Sequence, residues 1–262
     1  MKRIDEELSG IILKKSISAK KNFGQNFLLD LDILEVIKGF INGDSHKSCV
    51  EIGCGIGTLT RFLDDKYQNF IGYEIERDML DVLKSEYSFK NLDLKNEDFL
   101  KADLSYLNEE YLVIGNIPYN ITSKVIKKIL ALDRPISFAF MVQKEVAEKY
   151  SFMLNSTRNN PLATYFAIHG KYKVICDVNK SSFVPSPKVD SAFIYYQASS
   201  ANYKELKALD FLYMNPHKTL RNNFKHLDES VSSTLASIVD TSKRIHQLSI
   251  EEIKSILKVL TN

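Results

Sequence analysis

Cysteine is scarce in this chain and never arranged as a motif. Cys49, Cys54 and Cys176 are an odd number without C-x-x-C spacing, which argues against both a disulfide framework and structural zinc. We expect reduced core or loop residues and no metal site. No uninterrupted apolar run approaches the ~20 residues of a membrane span, and the opening MKRIDEELSG lacks the basic-then-apolar order of a signal peptide. A soluble cytoplasmic protein with no membrane partner is therefore expected. Internal repeats are absent, and the one low-complexity stretch is short and polar, at 198–202.

What is present is a chain of 262 residues, 44% hydrophobic, enough for one large domain or a main domain with a smaller one. Its net charge of +2 hides a strong asymmetry. Residues 29–123 hold 9 Lys/Arg against 18 Asp/Glu, whereas 124–188 hold 11 against 4, and 14–28 add four lysines without an acid. Two basic segments far apart in sequence predict a shared phosphate-binding surface, with an RNA affinity that falls steeply as salt rises.

Up to the polar stretch, β-rich runs alternate with amphipathic ones. Runs at 48–52, 69–74, 111–115, 138–142, 171–178 and 192–196 read as strands. This alternation predicts an α/β domain over 1–198, carrying the basic N-terminal segment and built on a mainly parallel sheet. The tail has no convincing strand and three helical patterns, one starting at Ser249 with Glu252 three residues on, a capping box. A small helical domain over 203–262 follows.

After the first of these strands comes VEIGCGIGTLT, where Gly53, Gly55 and Gly57 permit a sharp turn against a ligand before a helix begins near Thr58. Glycines alone would also suit a dinucleotide. Here the spacing is G-x-G-x-G, Glu51 precedes the first glycine, and Glu74 ends the next strand, where a carboxylate can accept both hydroxyls of a ribose. Acids around the loop repel a pyrophosphate but tolerate a ligand carrying a sulfonium and an ammonium. S-adenosylmethionine is favoured over NAD. Further on, Asp98 and Phe99 lie where a carboxylate and a backbone amide can read the cofactor's adenine, although a loop Asp equally serves as a turn former.

The most specific segment is VIGNIPYNITSKVI. An apolar strand stops at Asn116, Ile117, Pro118 and Tyr119, and a helix begins around Ser123. Pro118 pushes Ile117 into extended backbone, so the Ile117 carbonyl and the Asn116 side-chain carbonyl can face one spot. Two acceptors there can hold both hydrogens of an exocyclic amine and localise its lone pair on nitrogen. Tyr119 offers a flat face for an unstacked base.

Together with KKNFGQNFLLD at 20–30, YEIERDML, NEDFLKADL, MVQKEVAEKY, FVPSPKVDSAFI and HKTLRNNF, these segments make the chain resemble the KsgA-type ribosomal RNA adenine dimethyltransferases over about 14–225. The resemblance implies a Rossmann-like class I methyltransferase fold. It also implies dimethylation of N6 on two adjacent adenosines in the 3′-terminal hairpin of small-subunit (16S) ribosomal RNA, within an immature 30S particle, by a monomer acting in ribosome biogenesis. Gln25, Asn26 and Leu28 would cover the cofactor, with Gly53 and Gly55 against its methionine part. Glu74 and Ile75 would hold the ribose, Asp98 and Phe99 the adenine, and Asn116 both cofactor and target amine. From FVPSPKV, Phe183 would face Tyr119 across the base, although the residue could equally be core. Cys54 replaces a usual proline, Asn26 an often-found histidine, and FLYMNP a more basic run, which thins the charge of the helical domain. Two other readings share these residues: an Erm-type large-subunit ribosomal RNA methyltransferase conferring macrolide resistance, and a non-catalytic ribosome-assembly factor on the same fold.

Overall fold

The computed structural model describes residues 3–15 and 25–261. Lys20 and Lys21 of the basic N-terminal segment lie outside the described residues. In chain order the elements are α1 (Glu6–Lys14), β1 (Phe27–Leu28), α2 (Leu31–Gly43), β2 (Ser48–Ile52), α3 (Thr60–Lys66), β3 (Asn69–Tyr73), α4 (Arg77–Glu86) and β4 (Leu92–Lys95). Next come β5 (Tyr111–Gly115), α5 (Thr122–Leu130), β6 (Ser137–Gln143), α6 (Lys144–Lys149), α7 (Pro161–His169), β7 (Gly170–Val178), β8 (Phe183–Val184) and β9 (Ser191–Ala198). The tail adds α8 (Tyr203–Leu212), α9 (Leu220–Phe224), α10 (Glu229–Ile238) and α11 (Ile250–Thr261). Two compact units result: 1–147 with 173–197, and 148–172 with 198–262.

In the first unit, seven strands form one sheet in the order β4-β3-β2-β5-β6-β9-β7. The pairs β2·β3, β2·β5, β3·β4 and β5·β6 are parallel, and β9 runs antiparallel to β6. Central strands of such a sheet are covered on both faces and so read as continuous apolar runs. Leu112, Val113 and Ile114 of β5 are all fully buried, each contributing on the order of 1.5–3 kcal/mol of transfer free energy. Strand β4 escaped the sequence reading because LDLK sits at the sheet edge, alternates between half-buried and exposed positions, and offers no apolar run. The two-residue β1 pairs with β8 in a separate small sheet, too short to leave a periodic signal.

Local chemistry sets the helices. Asp30 caps α2 through Oδ1, which accepts from Asp32 N at 3.2 Å, and Leu34, Ile37 and Ile41 make its buried stripe. In α5, Val125, Ile126, Ile129 and Leu130 are buried while Lys124 and Lys127 are exposed.

The second unit begins again at 198, near the expected boundary, and also takes in the segment 148–172. Asn160 caps α7 by accepting from Ala163 N at 3.1 Å, with Pro161 following. Leu162, Ala163, Thr164, Tyr165 and Phe166 are buried in succession, so α7 is a core helix enclosed by its neighbours α8 and α11. The sequence reading put it in the α/β domain because it lies between the strand runs at 138–142 and 171–178. The capping box before α11 forms as expected: Glu252 N donates to Ser249 Oγ at 3.2 Å and Ser249 N to Glu252 Oε2 at 2.8 Å. Among the described residues, no helix is long and apolar enough to cross a membrane.

Candidate active site

In the sheet, β2 lies between β3 and β5, so the strand order reverses there and a crevice opens at the carboxyl ends of β2 and β5. A cavity of about 270 Å³ occupies that place. Of the residues predicted from sequence, Gln25, Asn26, Gly53, Gly55, Glu74, Ile75, Asp98, Phe99, Asn116, Ile117 and Pro118 line it. Leu28, Tyr119 and Phe183 lie outside the lining.

The glycine turn follows from backbone requirements. Gly53, Gly55 and Gly57 have φ of +74°, +54° and +87°, in the left-handed region that side chains resist. A Cβ on Gly57 would lie 2.8 Å from Tyr87 Cε2, whereas one on Gly53 would meet nothing within 4 Å and would fill cavity space. Glu74 holds this turn in shape: its Oε2 accepts from Gly55 N and its Oε1 from Glu76 N, both at 2.9 Å. Burial raises the Glu74 carboxyl, and these backbone donors pull it back down.

The opposite wall is the end of β5. Asn116 Nδ2 donates to the Asn26 carbonyl at 2.9 Å, which fixes the amide plane. Among the described residues, no hydrogen bond reaches Asn116 Oδ1 or the Ile117 carbonyl. Two adjacent acceptors at the cavity thus keep their lone pairs available. Gly115 permits this close arrangement, since a Cβ there would approach the Ile52 carbonyl oxygen to 2.5 Å.

Two expectations need correction, those for Leu28 and Phe183. Leu28 is 1% exposed and points into the core, while its neighbour Phe27 lines the cavity beside Gly55. Adjacent strand residues face opposite ways, so the expectation was displaced by one position. Phe183 pairs with Leu28 across β1·β8 and is 2% exposed in the same core cluster, so it presents no free face to a base. Tyr119 is half-buried against that core, its hydroxyl 2.5 Å from Ser191 Oγ.

The structure adds two acids that the sequence reading did not place in the site, Glu76 and Glu97. Glu51, Glu76 and Glu97 join Glu74 and Asp98, giving five carboxyls in the lining and, among the described residues, no Lys, Arg or His. Gln25 Nε2 donates to Glu76 Oε1 at 2.9 Å. Glu51 is 1% exposed and, among the described residues, its Oε2 has no hydrogen-bond partner. The available signal was adjacency: Glu76 stands two residues from Glu74, and Glu97 beside Asp98. Among the described residues, no group of His, Cys, Asp or Glu is placed to hold a metal ion.

Burial pushes the Glu51 carboxyl up to about 7; Thr60 and Cys54 draw it partly back, and the charge of Glu74 adds to the rise. The native state with an empty cavity therefore keeps a proton that the unfolded chain releases near pH 4.5. Its stability falls as pH rises towards 7, and a cationic ligand, which prefers ionised Glu51, binds more tightly over that range. Between pH 6 and 7 the affinity for S-adenosylmethionine should rise several-fold, bounded by ~10-fold per pH unit for one released proton. Titration calorimetry in buffers of different ionisation enthalpy checks this, and Glu51→Gln should flatten the dependence.

The basic segments are partly consumed internally. Lys14 and Lys15 both pair with Glu86, Lys144 pairs with Asp177, and Arg134 and Lys128 donate to backbone carbonyls. Lys124, Lys173, Lys180 and Lys188 are exposed.

Comparison with known proteins agrees with this arrangement. The profile of the family described as ribosomal RNA adenine dimethylase matches residues 16–262. Ribosomal RNA small subunit methyltransferase A of Mycoplasma mobile is 33% identical over 242 residues, covering 92% of this chain and 89% of its own. The protein of that name from Francisella tularensis is 34% identical over 258 residues, covering 93% and 98%. Among solved structures, a dimethyladenosine transferase from Plasmodium falciparum matches with TM-score 0.77 at 24% identity, over 88% of this chain and 95% of its own. The 23S rRNA methyltransferase ErmE matches at TM-score 0.68 and 22% identity, over 90% and 100%. Both structural likenesses establish the class I methyltransferase fold of the sheet. With its sequence matched nearly end to end, the chain belongs to the ribosomal RNA adenine dimethylase family.

Proposed function

We propose that this protein transfers methyl groups from S-adenosylmethionine to the N6 amine of adenosines in small-subunit ribosomal RNA, two on each of two adjacent residues. The observation that carries the reading is the pair of unengaged acceptors, Asn116 Oδ1 and the Ile117 carbonyl, at an acid-lined cavity.

S-adenosylmethionine carries a sulfonium and an ammonium against one carboxylate, so a lining with five carboxyls and, among the described residues, no cation suits it. A pyrophosphate would meet only repulsion there. Glu74 would take the ribose, since each of its oxygens uses one lone pair on a backbone N–H and keeps another. The turn through Gly53 and Gly55 would lie along the methionine part, and Asp98 with Phe99 along the adenine. When bound, the cofactor supplies a methyl group already activated by positive sulfur.

What remains for the protein is to make a poor nucleophile attack. The N6 lone pair of adenine is delocalised into its ring. Accepting both N–H hydrogens at Asn116 and Ile117 favours the geometry in which that pair returns to nitrogen, so positioning supplies most of the catalysis. Neither a strong base nor a metal is required. Tyr119 would support the base beside the cavity.

The same reading places the protein in the cytoplasm as a monomer acting on an immature 30S particle, where exposed Lys124, Lys173, Lys180 and Lys188 contribute phosphate contacts. The test is methyl transfer from labelled S-adenosylmethionine to unmethylated small-subunit particles and to protein-free large-subunit RNA, with mass spectrometry of digested nucleosides. Dimethyladenosine in the small-subunit RNA alone is expected. Transfer confined to large-subunit RNA would overturn the substrate assignment in favour of the Erm-type reaction.

A further inference from the structure

Between β4 and β5 the chain runs through 96–110 without a strand or helix, yet this loop carries Asp98 and Phe99. A long irregular loop holds a binding residue in place only if its backbone groups are tied down. Part of that work is internal, since the Asp98 carbonyl accepts from Lys101 N and Ala102 N. The remainder comes from α5 and its exit. Lys128 Nζ donates to the Phe99 carbonyl at 2.8 Å and to the Ala102 carbonyl at 2.7 Å. It also stands 5.7 Å from the centroid of the Phe99 ring. Farther along, Arg134 donates to the carbonyls of Ser105 and Leu107 at 2.5 and 2.6 Å.

These two cations do different jobs. Arg134 braces residues that lie outside the cavity lining, whereas Lys128 grips Phe99, which lines it beside Asp98. Asp98, Glu97 and Asp103 all attract the Lys128 ammonium, and burial works against its charge. The same helix touches the cavity through Val125, and Ile121 immediately precedes it. Helix α5 therefore meets both ends of the site: its first turn follows the loop at 116–119, and its second turn holds the loop of Asp98 and Phe99.

We propose that Lys128 is a positioning residue for the adenine end of the cofactor, acting through the Phe99 and Ala102 carbonyls so that α5 sets the distance between adenine recognition and the amine acceptors. This rests on the reading of the cavity as an S-adenosylmethionine site. It also removes Lys128 from the basic residues available to RNA.

The test measures base discrimination in the binding of two uncharged-sulfur probes, S-adenosylhomocysteine and S-inosylhomocysteine, in which a carbonyl oxygen replaces the adenine amine. Calorimetry on the full chain should show the wild-type protein favouring the adenosyl probe by roughly tenfold or more, as the loss of paired hydrogen bonds requires. Lys128→Met should bring that ratio close to one and raise KM for S-adenosylmethionine, with kcat at saturation changed about twofold or less. Lys128→Arg, which keeps charge and donors, should restore part of the ratio. Arg134→Met serves as the control, lowering thermal stability while keeping the discrimination. A Lys128→Met protein that is less stable but discriminates as the wild type does would reduce Lys128 to a structural staple. Should Lys128→Met fail to fold, Lys128→Gln reads the same ratio. Failure of the wild-type protein to bind the adenosyl probe would sink the cofactor reading itself, a result separable from an unchanged ratio in the variant.

Discussion

Asn116→Ala should lower kcat for methyl transfer by about 10²–10³-fold, the usual cost of removing one preorganised group that acts on the developing transition state. The substitution deletes Oδ1, one of the two acceptors assigned to the target amine, and also the Nδ2 donor to the Asn26 carbonyl. The first loss falls on the transition state and the second on the cavity wall, so KM for S-adenosylmethionine should change far less than kcat. Particle binding, which rests on surface charge, should remain. Asn116→Asp separates the two contributions: it keeps an acceptor but places a carboxylate opposite the Asn26 carbonyl and adds a sixth acid to the cavity. Single-turnover kinetics with filter binding checks all three quantities. Wild-type turnover in Asn116→Ala would remove the role assigned here.

Glu74→Ala should produce the second large effect, in binding rather than in turnover. Its carboxylate satisfies Gly55 N and Glu76 N at 2.9 Å each, in a position only 5% exposed. Deleting it strands the buried Glu76 donor, at ~1–3 kcal/mol, leaves the half-buried Gly55 N–H without this acceptor, and releases the left-handed turn at Gly55. Affinity for S-adenosylmethionine should fall by about 100-fold, consistent with losing a charge-assisted ribose contact along with the shape of the turn. The melting temperature of the empty protein should drop as well. Glu74→Gln is informative because its NH2 must face a backbone N–H on one side. It should bind more weakly than wild type despite being isosteric. Differential scanning fluorimetry with and without cofactor reports both effects.

Much of this site was legible in the sequence because its chemistry depends on local backbone. Glycines at 53, 55 and 57 turn the chain in a way other residues resist, and Pro118 restricts its predecessor. Such features are written in a few consecutive residues. The apolar strands of a parallel sheet are likewise visible, as the run at 111–115 illustrates. What could not be read is whatever depends on distant partners. Whether Phe27 or Leu28 faces the cavity is decided by pairing with β8, more than 150 residues later, and the same pairing buries Phe183. Helix α7 belongs with the C-terminal helices because of what packs around it. Lys128 looked like a surface lysine beside Lys127, since nothing nearby in sequence discloses the carbonyls it meets.

The five carboxyls of the cavity lining also bear on turnover. Donation of the methyl group turns a sulfonium into a neutral thioether, so the spent molecule carries one positive charge fewer than the fresh one. Beside these carboxyls, it loses attraction at the moment its work is done. For an enzyme that dimethylates adenine, this electrostatic asymmetry favours exchange of the used donor for a charged one between successive transfers.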